Sequence, residues 1–316
     1  MMTIVQEEAT TMTQPGPARP AARRRGRLRA LLGAAALLAG ATGAPAHDFY
    51  LIPGAAAPEA GAPFDVAMHV SDVFPGDPVP WRAERTRAFF VELAGKRLDL
   101  IESALEGEPP RARVTLRSPG TAVLALSTLP SYIELDAEAF EGYLKHEGHD
   151  DLIRSRREAG TSADKGRERY TRHVKAIIDV GGRRTDAALA RLGMTLEIVP
   201  EAHPTAARPG GSLPVRVLHE GRPYAGGLLC ATHAGHSKEH DAYAWCGRVD
   251  AAGRAAVPIR AAGWQIVRIT RMTPISGDPK ADWHSDWAAL TFAVAGGPPA
   301  APGGAAMRPG SGEGRR

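Results

Sequence analysis

Phe64 to Val70 (Phe-Asp-Val-Ala-Met-His-Val) alternates apolar and polar positions with a period of two, the mark of a strand with one buried face. His47–Pro53 before it reads as a first short strand. Arg87–Leu93, Lys96–Ile101, Arg113–Leu116 and Thr121–Ser127 after it read as more, separated by turn residues such as Phe74-Pro75-Gly76-Asp77-Pro78. Strands at this spacing predict an antiparallel sandwich over 47–133. The period then lengthens. Leu135–His146, Asp150–Ala159 and Ala163–Asp179 carry apolar residues at helical spacing, with Tyr170, Val174, Ile177 and Ile178 on one face of the last. This predicts a helical connector over 134–194. Alternation returns with Thr195–Val199, Ser212–His219, Gly227–Thr232, Ala242–Val249, Arg254–Ile259, Trp264–Thr270 and Ala288–Val294. Their number and spacing predict a second sandwich, Ig-like or transthyretin-like, over 195–294. Residues 295–316 are rich in Gly, Pro and Ala without an apolar period and predict a disordered tail. The expected fold is mainly β: two β-sandwich domains with a helical connector.

The beginning of the chain reads differently. Arg23-Arg24-Arg25-Gly26-Arg27-Leu28-Arg29 is a cationic stretch, Ala30–Gly43 an apolar run, and Ala44-Pro45-Ala46 an A-x-A cleavage signal. The run is too short to span a bilayer, which takes about 20 residues. Residues 1–46 are therefore expected to be a signal peptide, and the mature protein to be periplasmic or secreted, without a transmembrane segment and starting at His47.

Charge supports this division. The formal net charge is +4, and residues 1–46 hold six arginines against two glutamates, so the leader accounts for all of it. A mature chain without net charge is a poor nucleic-acid binder, and no nucleic-acid partner is expected.

Export gives the two cysteines a meaning. In an oxidising compartment Cys230 and Cys246 are expected to form a disulfide between neighbouring strands rather than two buried thiols. Two cysteines cannot build a four-cysteine zinc site.

All 11 histidines follow residue 46. Cleavage before His47 would place an α-amine and an imidazole on one residue, a pair that chelates Cu(II) or Ni(II). One more imidazole would complete a three-nitrogen site, with His69 and His284 as possible partners. His233, His236 and His240, with Glu239 and Asp241, form a second cluster between the two cysteine segments. A solvated polar loop accounts for it equally simply, and it lacks the H-E-x-x-H spacing of a zinc hydrolase. Lys145–Asp151 carries His146 and His149 but reads better as a helix end terminated by Gly148. His173 and His219 read as structural. No nucleophile elbow, P-loop or dinucleotide fingerprint is present in a suitable context, and no enzymatic activity is expected.

Several segments together resemble the DUF4198 family. They are the opening Ala46-His47-Asp48-Phe49-Tyr50-Leu51, then Tyr170–Lys175, Leu196–Pro200, Gly221-Arg222-Pro223, Asp250–Arg254, Ala262-Gly263-Trp264 and the closing Asp282–Phe292. The similarity runs from about 46 to 294. Two departures stand out: Arg271-Met272 where the family often has His-Met, and Asp286 where it has an aromatic. These exported bacterial proteins are often labelled periplasmic components of cobalt/nickel uptake. The resemblance implies an accessory protein that captures or delivers Ni(II), Co(II) or Cu(II), with a membrane metal transporter as partner. The alternative is a protein- or carbohydrate-binding module of the cell envelope that uses no metal.

Overall fold

The computed structural model describes residues 47–101, 104–105 and 111–296. The expected signal peptide and most of the expected tail lie outside the described residues. In chain order the elements are β1 (Asp48–Pro53), β2 (Pro63–Ser71), β3 (Thr86–Leu93), β4 (Lys96–Asp99), β5 (Ala104–Leu105), β6 (Arg111–Thr115), β7 (Gly120–Thr128) and β8 (Ser131–Leu135). Two helices follow, α1 (Ala137–His146) and α2 (Asp150–Glu158). Then come β9 (Gly166–Val180), β10 (Leu196–Pro200), β11 (Ser212–His219), β12 (Arg222–Pro223), β13 (Leu228–His233), β14 (Trp245–Arg248), β15 (Arg254–Pro258), β16 (Gly263–Pro274) and β17 (Trp283–Val294). The protein is mainly β.

Three sheets form from these strands. The first runs β1-β2-β6-β5. The central sheet has nine strands, in the order β14-β13-β16-β17-β9-β7-β3-β4, with β8 paired to β9. The third is built on β11, flanked by β10, β12 and β15. Alternation along the central strands assigns one face to each outer sheet. Leu124 and Leu126 of β7 and Val174, Ala176 and Ile178 of β9 pack with Leu51, Val66 and Met68 of the first sheet. Val123 and Ile177 point the other way and pack with Leu196, Ile198, Val215 and Val217 of the third. The central sheet is thus buried on both faces.

That arrangement corrects the expected third helix. The stretch 163–179 falls mostly in strand β9, which is parallel to β17 and antiparallel to β7 and β8. Val174 to Val180 are all buried. A strand covered on both faces is largely apolar on both, here interrupted only by the buried Lys175 and Asp179, and such a run also satisfies helical spacing. β-branched Thr171, Val174, Ile177 and Ile178 favour the strand. The expected division into two sandwiches is corrected as well. Strands from all three expected segments share the central sheet, and the described residues form one compact unit. Pairing of β9 with β17 closes what a reading of local pattern leaves apart.

The two real helices have legible ends. Asp136 caps α1 by accepting from the Ala139 N–H at 2.8 Å. At the other end Gly148 adopts φ +74°, and the Gly148 and His149 N–H groups return to the carbonyls of Lys145 and Leu144. This satisfies the last carbonyls of the helix. α1 buries Phe140 and Leu144 against Met272 and Trp283, and burying Phe140 contributes roughly 1.5–3 kcal/mol. The cap also fixes Glu147, whose carboxylate enters the interior.

Candidate functional site

The β1–β2 hairpin sets the first contact. Its antiparallel register pairs Asp48 with Ser71, and the same register carried outward sets His47 beside Asp72. His47 Nδ1 stands 3.5 Å from Asp72 Oδ2, and that buried nitrogen has no hydrogen-bond partner.

The second contact arrives from far along the chain. Cys230 and Cys246 stand opposite each other in the β13–β14 register and are disulfide-bonded, which ties the base of the intervening loop. That loop reaches back to the hairpin. The Asp241 N–H donates to the Asp72 carbonyl at 2.9 Å, and His240 Nδ1 donates to Asp72 Oδ2. Tyr243 donates to Asp48 Oδ2 at 2.8 Å. One carboxylate thus gathers His47 and His240. His146, at the end of α1, lies 3.8 Å from Asp241 on the same side.

A buried ionic knot holds the platform beneath. Arg268 of β16 donates to Asp48 Oδ1 at 2.7 Å and, bidentately, to Glu147. Its guanidinium also lies over the Tyr243 and Trp287 rings. Burial opposes the charge of Glu147, yet Arg268 keeps its carboxyl below the ordinary range. Burial likewise opposes charge on Asp72, but the hydrogen bond from His240 and the neighbouring imidazoles hold it below the usual carboxylate range. The same hydrogen bond raises the pKa of His240.

The donor types suit a borderline metal ion: one unpartnered imidazole nitrogen, one carboxylate and a second imidazole. Among the described residues no group of three or more His, Cys, Asp or Glu side chains is placed so that it could hold a metal ion. The α-amine of a chain starting at His47 would be an additional donor.

The other histidines named from the sequence lie elsewhere. His69 is buried, with Nδ1 2.8 Å from the Gly76 carbonyl and its ring stacked on Tyr50; it packs under the 73–78 turn. His233 and His236 meet ring to ring at 5.3 Å, and His233 contacts the Ala234 carbonyl. His284 is bound to the Arg169 carbonyl at 2.9 Å. The sequence reading missed Asp72. Its only signal was its place one step beyond the strand that pairs with His47–Pro53.

A family model described as "Domain of unknown function (DUF4198)" matches residues 44–273. The chain belongs to the DUF4198 family. No curated protein matches it. Among solved structures, the D0–D1 domain of intimin is 12% identical, with 78% of this chain and 97% of that chain covered at a TM-score of 0.19. The Yersinia pseudotuberculosis adhesin InvE is 12% identical, with 77% and 58% covered at 0.18. The full ectodomain of mouse nectin-like molecule 4 is 12% identical, with 83% and 67% covered at 0.17. Scores this low carry no argument about shape or role.

In this DUF4198 member the position expected to be aromatic, Asp286, gathers three histidines. His173, His284 and His219 each place Nε2 within 3.4–3.5 Å of its carboxylate, and Thr171 donates to it at 2.6 Å. Burial opposes charge on Asp286, but the bonds from His173, His284 and Thr171 outweigh it and hold the carboxyl far below its ordinary range. The imidazoles act here as donors to a carboxylate. This knot ties β9, β11 and β17 together. No local pattern marked it, because its members lie on three strands.

Proposed function

We propose that this chain is an exported accessory protein that captures or delivers a divalent transition metal, Ni(II), Co(II) or Cu(II), at a centre formed by His47, Asp72 and His240. The observation that carries this reading is the shared carboxylate: Asp72 stands against the unpartnered Nδ1 of His47 and accepts from His240. Imidazole and amine nitrogens with one carboxylate match the preferences of these metals. The β1–β2 register and the Arg268 knot orient the donors from behind, as supporting residues do in metal centres. The metal is cargo in this reading, and a membrane transporter is its partner. Among the described residues no helix is long and apolar enough to cross a membrane.

The test is isothermal titration of Cu(II), Ni(II) and Co(II) into protein starting at His47 and into a version with one extra N-terminal Ala. Tight binding that the extra residue abolishes supports the reading. No binding in either version refutes it. Equal binding in both would remove the α-amine from the centre and leave the side chains of His47, Asp72 and His240 to be tested singly.

A further inference from the structure

A cavity of about 390 Å³ opens between the β1–β2 hairpin and strands β7, β8 and β9 of the central sheet. Ligand pockets commonly measure about 300–1,000 Å³ and combine apolar walls with a few polar groups that converge. Here the apolar wall includes Phe49, Met68, Trp81, Leu126 and Trp287. Three arginines also line it, Arg82, Arg85 and Arg172, and no Asp or Glu does.

Arg172 is the informative member. The fully buried cations of the central sheet meet carboxylates: Lys175 meets Glu197 at 2.9 Å, and Arg268 meets Asp48 and Glu147, whereas Arg172 is half-buried. Among the described residues Arg172 has no ion-pair partner. Its Nη2 donates to the His47 carbonyl at 3.3 Å, its guanidinium lies over the Tyr170 and Phe49 rings, and its buried Nε bonds to nothing. Glu168 and Asp48 act on Arg172 only from beyond ion-pair range, and a guanidinium partly removed from water without a paired carboxylate is costly, a cost that falls when an anion joins it. The indole N–H of Trp81 is a second buried donor without an acceptor, on a residue that lines the same cavity. Two unsatisfied donors on an apolar wall without a competing carboxylate describe a site awaiting an acceptor.

We propose that this cavity binds a small amphipathic organic anion, its charged group on Arg172 and the Trp81 N–H and its apolar body between Trp81 and Trp287. Charge selects for the anion, and the apolar wall selects against free inorganic ions. The site goes beyond the metal reading and does not depend on it. His47 borders both, so the test is run in EDTA, where failure of either reading leaves the other standing.

The probes are 8-anilinonaphthalene-1-sulfonate and its uncharged counterpart N-phenyl-1-naphthylamine, followed by fluorescence with the processed chain, His47–Arg316. The expected result is saturable one-site binding of the sulfonate, weaker binding of the neutral probe, and displacement of the sulfonate by naphthoate or decanoate. Which competitor is stronger distinguishes an aromatic from an aliphatic body. Arg172→Gln is expected to weaken the sulfonate about tenfold or more, the loss of a charge-assisted hydrogen bond, and to leave the neutral probe unchanged. Ser131→Trp, which fills the cavity from a half-buried position, is expected to abolish both and serves if Arg172→Gln does not fold. The proposal is overturned by absence of saturable sulfonate binding, by equal affinity for the two probes, or by sulfonate binding that survives in folded Ser131→Trp protein.

Discussion

His240 donates a hydrogen bond to the carboxylate of Asp72, 168 positions earlier in the chain. That one bond docks the disulfide-closed loop onto the first hairpin and brings a second imidazole to the side of His47. Two single-residue changes probe it. Asp72→Asn and His240→Ala are each expected to weaken metal binding by roughly 10–100-fold, the usual effect of losing a supporting or ligating partner. His69→Ala, which removes a ring stacked on Tyr50, is expected to leave affinity unchanged and to lower stability by about 1 kcal/mol. Titration calorimetry and urea melts separate the two effects.

The disulfide should matter twice. Replacing Cys230 and Cys246 by Ala is expected to lower stability by about 3 kcal/mol, from the loop entropy returned to the unfolded chain. It should also reduce metal affinity, because the loop carrying His240 loses its tied base. Affinity that survives while stability falls would assign the loop's position to its contacts with Asp72 alone.

Lys175 and Glu197 form an ion pair in which both side chains are 2% exposed. Burial lowers the pKa of Lys175, and the glutamate opposes that shift. Glu197→Gln removes the counter-charge and keeps one acceptor oxygen for the Leu192 or the Gly193 N–H, which now donate to different oxygens of the carboxylate. The expected cost is about 3–5 kcal/mol, the penalty of a stranded buried charge. Denaturant unfolding at neutral pH measures it, and a cost under 1 kcal/mol would mean that Lys175 sheds its proton or reaches water.

Asp286 should shape the acid limb of stability. Its folded pKa lies below its unfolded value, so the stability it contributes is present above the ordinary Asp range, about pH 4, and is lost as pH falls through the depressed value. His284, raised chiefly by its hydrogen bond to Asp286, acts in the opposite sense. Its share is complete below the ordinary imidazole range and is lost as pH rises through the raised value. Asp286→Asn is expected to flatten both limbs, read from urea midpoints between about pH 2 and pH 8. Limbs that keep their slopes in the variant would place the linkage in other groups.

Parts of the molecule were legible in advance. The helix expected over Leu135–His146 is α1 (Ala137–His146), and the Gly148 read as its terminator stands at its end; the Asp136 cap was not read in advance. The strands of period two, Phe64–Val70 and Ser212–His219, appear where alternation placed them. β9 was not legible as a strand. Its apolar run reflects cover on two faces, and cover is a property of neighbouring sheets rather than of the run itself.

The sequence by itself determined the mainly β character, the Gly148 helix stop and the family, because these rest on side-chain period and local backbone preference. The tertiary structure alone decided that strands from all three expected segments share one sheet, that Asp72 rather than His69 or His284 stands beside His47, and that Asp286 collects His173, His219 and His284. Each of those choices is a pairing between distant segments. Its energy comes from burying two surfaces together or from bringing a charge to its partner, and neither surface nor partner is encoded in the residues nearby.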